Sequence, residues 1–285
     1  MWLLTEIVPF LGIFGTKNKE VGNKISKEYR LLIANVYQEN QSYEMFLDVI
    51  NQFDPDFFLT VETNMVWQEA LQKLKSAYPH SIEVPQENTY GMHFYSRYPI
   101  ESAEVNYFVA DDLPSIEAVV ELDKNKFRFF GIHPPPPSPT EEETSKERDA
   151  EIAALSKRIE QLNDGGHFMV AGDFNNVAWA RSTEIFRKAT GFIDPRKGRG
   201  FISTFPANYP LLRVPIDLVY HSANIRAIEV KTLPSINSDH LPLFFSFYLT
   251  DSSEKQRVEQ LNNAEANERE EMIQEGREEK SANRT

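Results

Sequence analysis

The sequence predicts an α/β (α+β) protein in which two β-sheets pack face to face with helices on the outside. Three observations carry this. Short, nearly continuous apolar runs such as YRLLIANV (29–36), FFLTVE (57–62) and HFMVAGD (167–173) suit strands buried on both faces. Segments with helical apolar spacing are fewer and fall between groups of strands. Strict strand–helix alternation, the mark of a single parallel sheet, is missing.

The elements follow in order. MWLLTEIVPFLGIFG is apolar but short and interrupted by Pro9 and two glycines. It has neither the basic head nor the small-residue cleavage site of a signal peptide, and reads as a hydrophobic stub. The polar residues 16–28 lead from it, so 1–28 are expected to be stub and linker. After the first strand, apolar residues at 43, 46, 47, 50 and 53 predict a helix over 42–53 with Ser42 as N-cap. DPD breaks it, the strand FFLTVE follows, and MVWQEALQKLKSAY (65–78) reads as helix.

GMHFYS, SIEAVVEL and KFRFFGIH are strands, the last two joined by the turn DKNK. PPPPSPT (134–140) can be neither helix nor central strand, because proline lacks the donor N–H, and is expected to be a stiff loop. A helix is predicted over 141–163, capped by Thr140 and closed by NDGG. HFMVAGD is a strand, STEIFRKAT a helix, and PIDLVYH, IRAIEVKTL and LPLFFSFYL close the domain as strands. The domain therefore runs over 29–250. Residues 251–285 are Glu-rich and poor in large apolar side chains, so this acidic tail is expected to be disordered or a solvated helix.

Composition narrows the function. The 285 residues contain no Cys, which removes disulfides, cysteine-ligated zinc and thiol nucleophiles together. A net charge of −13 argues against a nonspecific grip on duplex DNA, which needs clustered Lys and Arg, though a metal ion can screen an anionic substrate. No apolar run approaches the ~20 residues of a membrane-spanning helix.

Where the strands stop is more telling. Asn35 and Glu62 end the first two, His133 ends FRFFGIH, and Asp173 ends HFMVAGD with Asn175 just beyond. Asp217 lies inside an apolar strand, where an unpaired carboxylate is costly. Ser238, Asp239 and His240 precede the last strand. Each alone has a bland explanation as a turn, cap or packing residue. Together they place metal-ligand, acid–base and phosphate-binding types in one sheet-edge region.

That ordered set, with GDFN followed downstream by SDH, resembles the endonuclease/exonuclease/phosphatase superfamily over about residues 29–249. DNase I-like nucleases, inositol polyphosphate phosphatases and neutral sphingomyelinases belong to it. The surrounding text, including PDFFLTVE, GMHFYSRYPI and PIDLVYHS, is similar to its bacterial branch, whose members commonly carry membrane helices ahead of the domain. On that resemblance residues 2–14 read as the tail of such a region and as a membrane-associating segment.

The resemblance implies a four-layer sandwich of two mixed β-sheets flanked by helices. It implies a monomeric hydrolase that cleaves a phosphodiester or phosphomonoester by in-line attack of water, assisted by Mg²⁺ or Mn²⁺. The substrate would be nucleic acid, a phosphoinositide or a phospholipid head group. By resemblance Glu62 is the principal metal ligand, with Asn35 and Asp239 beside it. His240 pairs with Asp217, Asp173 orients or deprotonates the water, Asn175 holds a phosphate oxygen, and His133 donates to the developing phosphorane charge. Either Asp173 or His240 serves as the base. Among the loop arginines Arg97, Arg196, Arg199 and Arg213, the RKGR stretch with Arg196 and Arg199 is expected to clamp a substrate phosphate. Two features depart from close relatives: Leu218 follows Asp217 where they often place His, and four prolines follow His133. His133 also argues against an abasic-site endonuclease, whose relatives usually have Tyr there. A scaffold that keeps the fold without the chemistry, or a membrane-tethered adaptor, is the alternative.

Overall fold

The structure, a computed structural model, describes residues 27–137, 144–162, 165–250 and 260–279. Residues 1–26, the expected cap Thr140 and the tail residues 251–259 and 280–285 lie outside these.

The strand β1 (Tyr29–Asn35) pairs in parallel with β2 (Phe57–Val61), and the helix α1 (Tyr43–Phe53) connects them. Alternate residues of β1 have different surroundings: Leu31 and Ile33 enter the core between the sheets, while Leu32 and Ala34 pack with α1. That double burial explains why the segment shows no polar alternation. The helix α2 (Met65–Leu71) follows β2, capped by the Asn64 side chain, and one 3₁₀ turn, Gln72–Leu74, extends it. The expected helix over 65–78 is thus shorter. Ser42 stands at the N-cap of α1 but makes no capping bond; its hydroxyl accepts from Asn237 instead, at 2.9 Å.

The hairpin β3 (His80–Val84) and β4 (Met92–Ser96) completes this half. Next come β5 (Ile100–Asn106), β6 (Ser115–Leu122) and β7 (Asn125–Ile132), the helix α3 (Lys146–Leu162), β8 (His167–Asp173) and the helix α4 (Arg181–Thr190). Then β9 (Asp217–His221), β10 (Ile225–Thr232) and β11 (Leu243–Leu249) close the sheets. One sheet has the order β10-β11-β1-β2-β4-β3 and the other β5-β6-β7-β8-β9. Both are mixed, since β7 and β8 are also parallel. Aromatic rings fill the space between them: Phe94 stacks on Phe129 with centroids 4.4 Å apart. Outside, α1 and α2 cover one sheet, and α3 and α4 cover the other. The expected four-layer sandwich is what the chain forms.

The sequence pattern misses two strands, β3 and β5. Both are edge strands, bonded on one side only and not fully buried, so neither needs an apolar run.

The tail also departs from expectation. Within the stretch expected to be disordered or solvated, a helix α5 (Asn263–Glu278) docks against α3. A capping box, Asn262 with Glu265, starts it. Ile273 is buried, and Gly276 lies so close to α3 that a Cβ there would come 2.2 Å from Ala150 Cβ. Glu265 accepts from Lys188 Nζ at 2.7 Å and Arg269 reaches Glu160 at 2.6 Å. The composition is that of a solvated segment because the docking uses few apolar atoms and several ion pairs.

Candidate active site

The parallel cores of the two sheets bring the ends of β1, β2 and β8 together, and β9 starts at the same edge because Asp217 pairs with Asp173 across β8 and β9. The turn out of β8 needs Gly172. Its φ of +151° is glycine territory, and a Cβ would lie 1.9 Å from the Ile132 carbonyl oxygen. Asn175 follows in left-handed conformation, which asparagine tolerates. Glu62 has φ +60° too, a strained choice for a glutamate, and turns the chain directly off β2.

Asn35 is the bridge. Its Nδ2 donates to Glu62 Oε1 at 2.6 Å and to Asp173 Oδ2 at 3.0 Å, while its Oδ1 accepts from the Tyr37 N–H at 2.9 Å. Asn35 therefore orients two carboxylates, and its oxygen faces backbone. Glu62 also accepts from the Gln38 N–H at 3.4 Å. Among the described residues no Lys or Arg pairs with it. Burial, opposed by the Asn35 bond and reinforced by Asp173 and Asp239, pushes its carboxyl up to about 7.

The imidazole of His240 lies between two acids. Its Nδ1 is 2.9 Å from Asp217 Oδ2 and its Nε2 is 3.6 Å from Asp173 Oδ2. Burial alone would lower its proton affinity, but Asp217 and then Asp173 outweigh that and raise it to about 10. Asp173, fully buried, is shifted upward by burial, against the pull of His240. His133 Nε2 stands 3.8 Å from the same Asp173 Oδ2, and burial lowers this second imidazole to about 4. One site thus holds a protonated and a neutral histidine around one carboxylate. Ser238 staples the last loop in place: its hydroxyl donates to the Asn35 carbonyl at 2.8 Å and accepts from the His240 N–H at 3.0 Å.

Asp173, Asp217 and His240 also offer ligand atoms within 4.8 Å of one another. The 2.9 Å contact of His240 Nδ1 with Asp217 and the 3.6 Å approach of its Nε2 to Asp173 suit the same trio to proton handling. Glu62 and Asp239 form the harder oxygen set; Asn35, expected as a ligand beside them, turns its Nδ2 to Glu62 and its Oδ1 to the Tyr37 N–H, and so orients the set instead. A half-buried carboxylate among other acids, with no Lys or Arg paired to it among the described residues, is the feature a divalent cation would satisfy.

Sequence reasoning missed a support for this site. Arg148 Nη1 donates to the Asn175 carbonyl at 3.2 Å and, through Nη2, to Asp149 at 3.1 Å. Asp149 also accepts from Ser182 at 2.7 Å and Asn176 at 3.3 Å, so α3 and α4 grip the GDFNN turn. Nothing in the charged text KERDAE distinguishes these two residues from a solvated face. Asn175 itself donates its backbone N–H to Asp173 Oδ1 at 2.9 Å and its amide to the Pro134 carbonyl at 3.0 Å.

The arginine expectations need correction. Arg196 is buried, and its Nε and Nη2 bond Asp194 at 2.9 and 2.7 Å. Arg199 donates to the Ile228 and Ala227 carbonyls at 2.7 and 2.9 Å, where a bulge interrupts the β10–β11 pairing. Both guanidinia meet internal acceptors, so neither is placed to clamp a substrate. Arg97 bonds Asp54 and Tyr78 at the opposite end of β2 from Glu62, and Arg213 donates to the Ala207 carbonyl.

Sheets of six and five strands packed face to face between helices define the DNase I-like sandwich. The chain belongs to the Endonuclease/Exonuclease/phosphatase family, whose sequence profile matches residues 32–240. It is 32% identical over 117 residues to the uncharacterized protein YbhP of Escherichia coli, a match spanning 36% of this chain and 41% of that protein. TDP2 of D. rerio, complexed with single strand DNA product, superposes with a TM-score of 0.66 at 14% identity, covering 78% of this chain and 99% of that one. The human Nocturnin catalytic domain with bound sulfate gives 0.63 at 14% identity, covering 79% and 97%.

Proposed function

We propose that this chain is a divalent-metal-dependent phosphoesterase in which water attacks the phosphorus of an anionic phosphoester in line with the leaving oxygen. The observation that carries the reading is the connected line Asp217–His240–Asp173–Asn35–Glu62. It joins a proton-handling half to a cation-attracting half.

Glu62 and Asp239 would hold Mg²⁺ or Mn²⁺, with Asn35 orienting Glu62. When bound, such an ion neutralises phosphate charge and stabilises the leaving oxygen. Asp173 is the base. Its raised proton affinity makes it a better acceptor than an ordinary carboxylate, while His240 already carries its proton. His240, held by Asp217, and the neutral His133 donate to the charge that develops on the phosphoryl oxygens. The second amide N–H of Asn175 is available to a phosphate oxygen. Nucleic acid, phosphoinositide and phospholipid head groups all present that group.

The test is hydrolysis by the full chain, with Mg²⁺ and Mn²⁺, of plasmid DNA, single strands, inositol phosphates and sphingomyelin. Glu62→Gln should fold normally and lose activity by about a hundredfold or more. Glu121→Gln, on an exposed position of β6, should behave as wild type. Activity that survived Glu62→Gln would place the chemistry elsewhere. A wild type that is stabilised by Mg²⁺ yet hydrolyses none of these classes would favour a binding scaffold.

A further inference from the structure

The loop that enters β9 carries an apolar tip in water. Leu211 is 100% exposed, Leu212 69% and Tyr209 62%, and the 3₁₀ turn Pro210–Leu212 buries none of its side chains. Met65 and Val66, just beyond Glu62, are exposed at the same sheet edge, at 59% and 51%. Isolated exposed apolar residues need no explanation, but a run of them in one loop next to the site marks an interaction surface.

The root of this loop is tied to the site. The Ala207 N–H donates to the Asp239 carbonyl at 2.6 Å, the Leu241 N–H to the Thr204 carbonyl at 3.0 Å, and the Phe205 ring lies 4.7 Å from that of His240. A fixed root with a projecting leucine tip resembles an anchor more than a piece of core that failed to pack.

Charge says what it would anchor to. The chain carries −13 overall, yet residues 195–214 contain Arg196, Lys197, Arg199 and Arg213 and no acid. Arg196 is paired with Asp194, whereas Arg199 and Arg213 donate to backbone carbonyls, which leaves their charge in place. Aliphatic and aromatic side chains beside Arg213, which no carboxylate among the described residues pairs, match an anionic lipid interface. A single nucleic-acid strand would call for several rings, whereas Tyr209 is the one aromatic side chain of 209–214, and the more exposed Leu211 and Leu212 have no face on which a base can stack.

We propose that the loop Tyr209–Val214 docks this domain on a bilayer containing anionic lipid, with Leu211 and Leu212 entering the acyl boundary. Docking in this way would turn the cleft toward head-group phosphates; that consequence, unlike the binding, rests on the phosphoesterase reading.

The experiment is flotation of the full chain with vesicles of phosphatidylcholine, with and without phosphatidylglycerol, at low salt and without divalent ions. Wild type should float with the anionic vesicles. Leu211→Asp with Leu212→Asp should weaken vesicle affinity by about tenfold or more per leucine, with an unchanged melting temperature because both side chains are exposed. The apolar stretch 2–14 is present in both proteins, so the difference reports the loop. Wild type left in the soluble fraction with both vesicle types, or a double variant that floats as well as wild type, overturns the proposal. So does a double variant that instead loses affinity for a single-stranded oligonucleotide. Flotation needs no turnover, so a chain without phosphoesterase activity still decides it.

Discussion

His240 Nδ1 lies 2.9 Å from Asp217 Oδ2, and both side chains are buried at the edge where β8 and β9 meet. This contact fixes which imidazole nitrogen faces inward and leaves Nε2 directed toward Asp173. It also accounts for a carboxylate inside the apolar strand IDLVYH, which would be costly without a charged partner.

Asp217→Asn removes the charge and keeps the shape. The imidazole loses the partner that favours its protonated, oriented form, so phosphoester turnover should fall by about a hundredfold. The rise in melting temperature on adding Mg²⁺ should persist, since Asp217 is outside the proposed ligand set. Loss of that rise together with activity would assign Asp217 to the metal.

The grip of α3 on the GDFNN turn is separable from the chemistry. Asp149→Ala leaves Arg148, Ser182 and Asn176 without their shared acceptor and loosens the backbone of Asn175. Turnover should fall by about tenfold with KM near wild type, and the Mg²⁺-induced stabilisation should be retained. An unchanged kcat would show that the turn holds its own geometry.

The terminal helix is expected to matter for stability. Ile273→Ala should cost about 2 kcal/mol, at the low end for a buried isoleucine because the site is at the edge of the fold. Deleting residues 260–285 should lower the melting temperature further. A truncated protein that melts like the full chain would mean that α5 does not dock in solution.

Glu83 links stability to acid. Desolvation raises its carboxyl, but Lys75, Ser81, Tyr95 and Gln68 outweigh this and hold it down at about 2, against 4.5 unperturbed. A carboxylate with a depressed folded-state value stabilises above its unfolded value and loses that contribution as pH falls. Glu83→Gln should therefore melt lower than wild type at neutral pH, and the gap should close between pH 4.5 and about 2. A gap independent of pH would mean that packing, not charge, is what the substitution disturbs.

The sequence by itself determined the layers and the chemistry-bearing positions. Doubly apolar strands such as β1 and β8 must be covered on both faces, and polar residues at the ends of several such strands gather at one sheet edge. Asn35, Glu62, His133, Asp173, Asp217 and His240 were legible for that reason. Tertiary structure alone decided how their atoms are used. That Asn35 turns its nitrogen to Glu62 and Asp173 depends on three segments far apart in the chain. Arg196 and Arg199 look like phosphate clamps in RKGR, but Asp194 and the β10 bulge take up their donors. Edge strands β3 and β5, the docked face of α5 and the Arg148–Asp149 support carry little local signal. Their stability comes from partners distant in sequence, and a side chain's nearest acceptor is known only once the chain has folded around it.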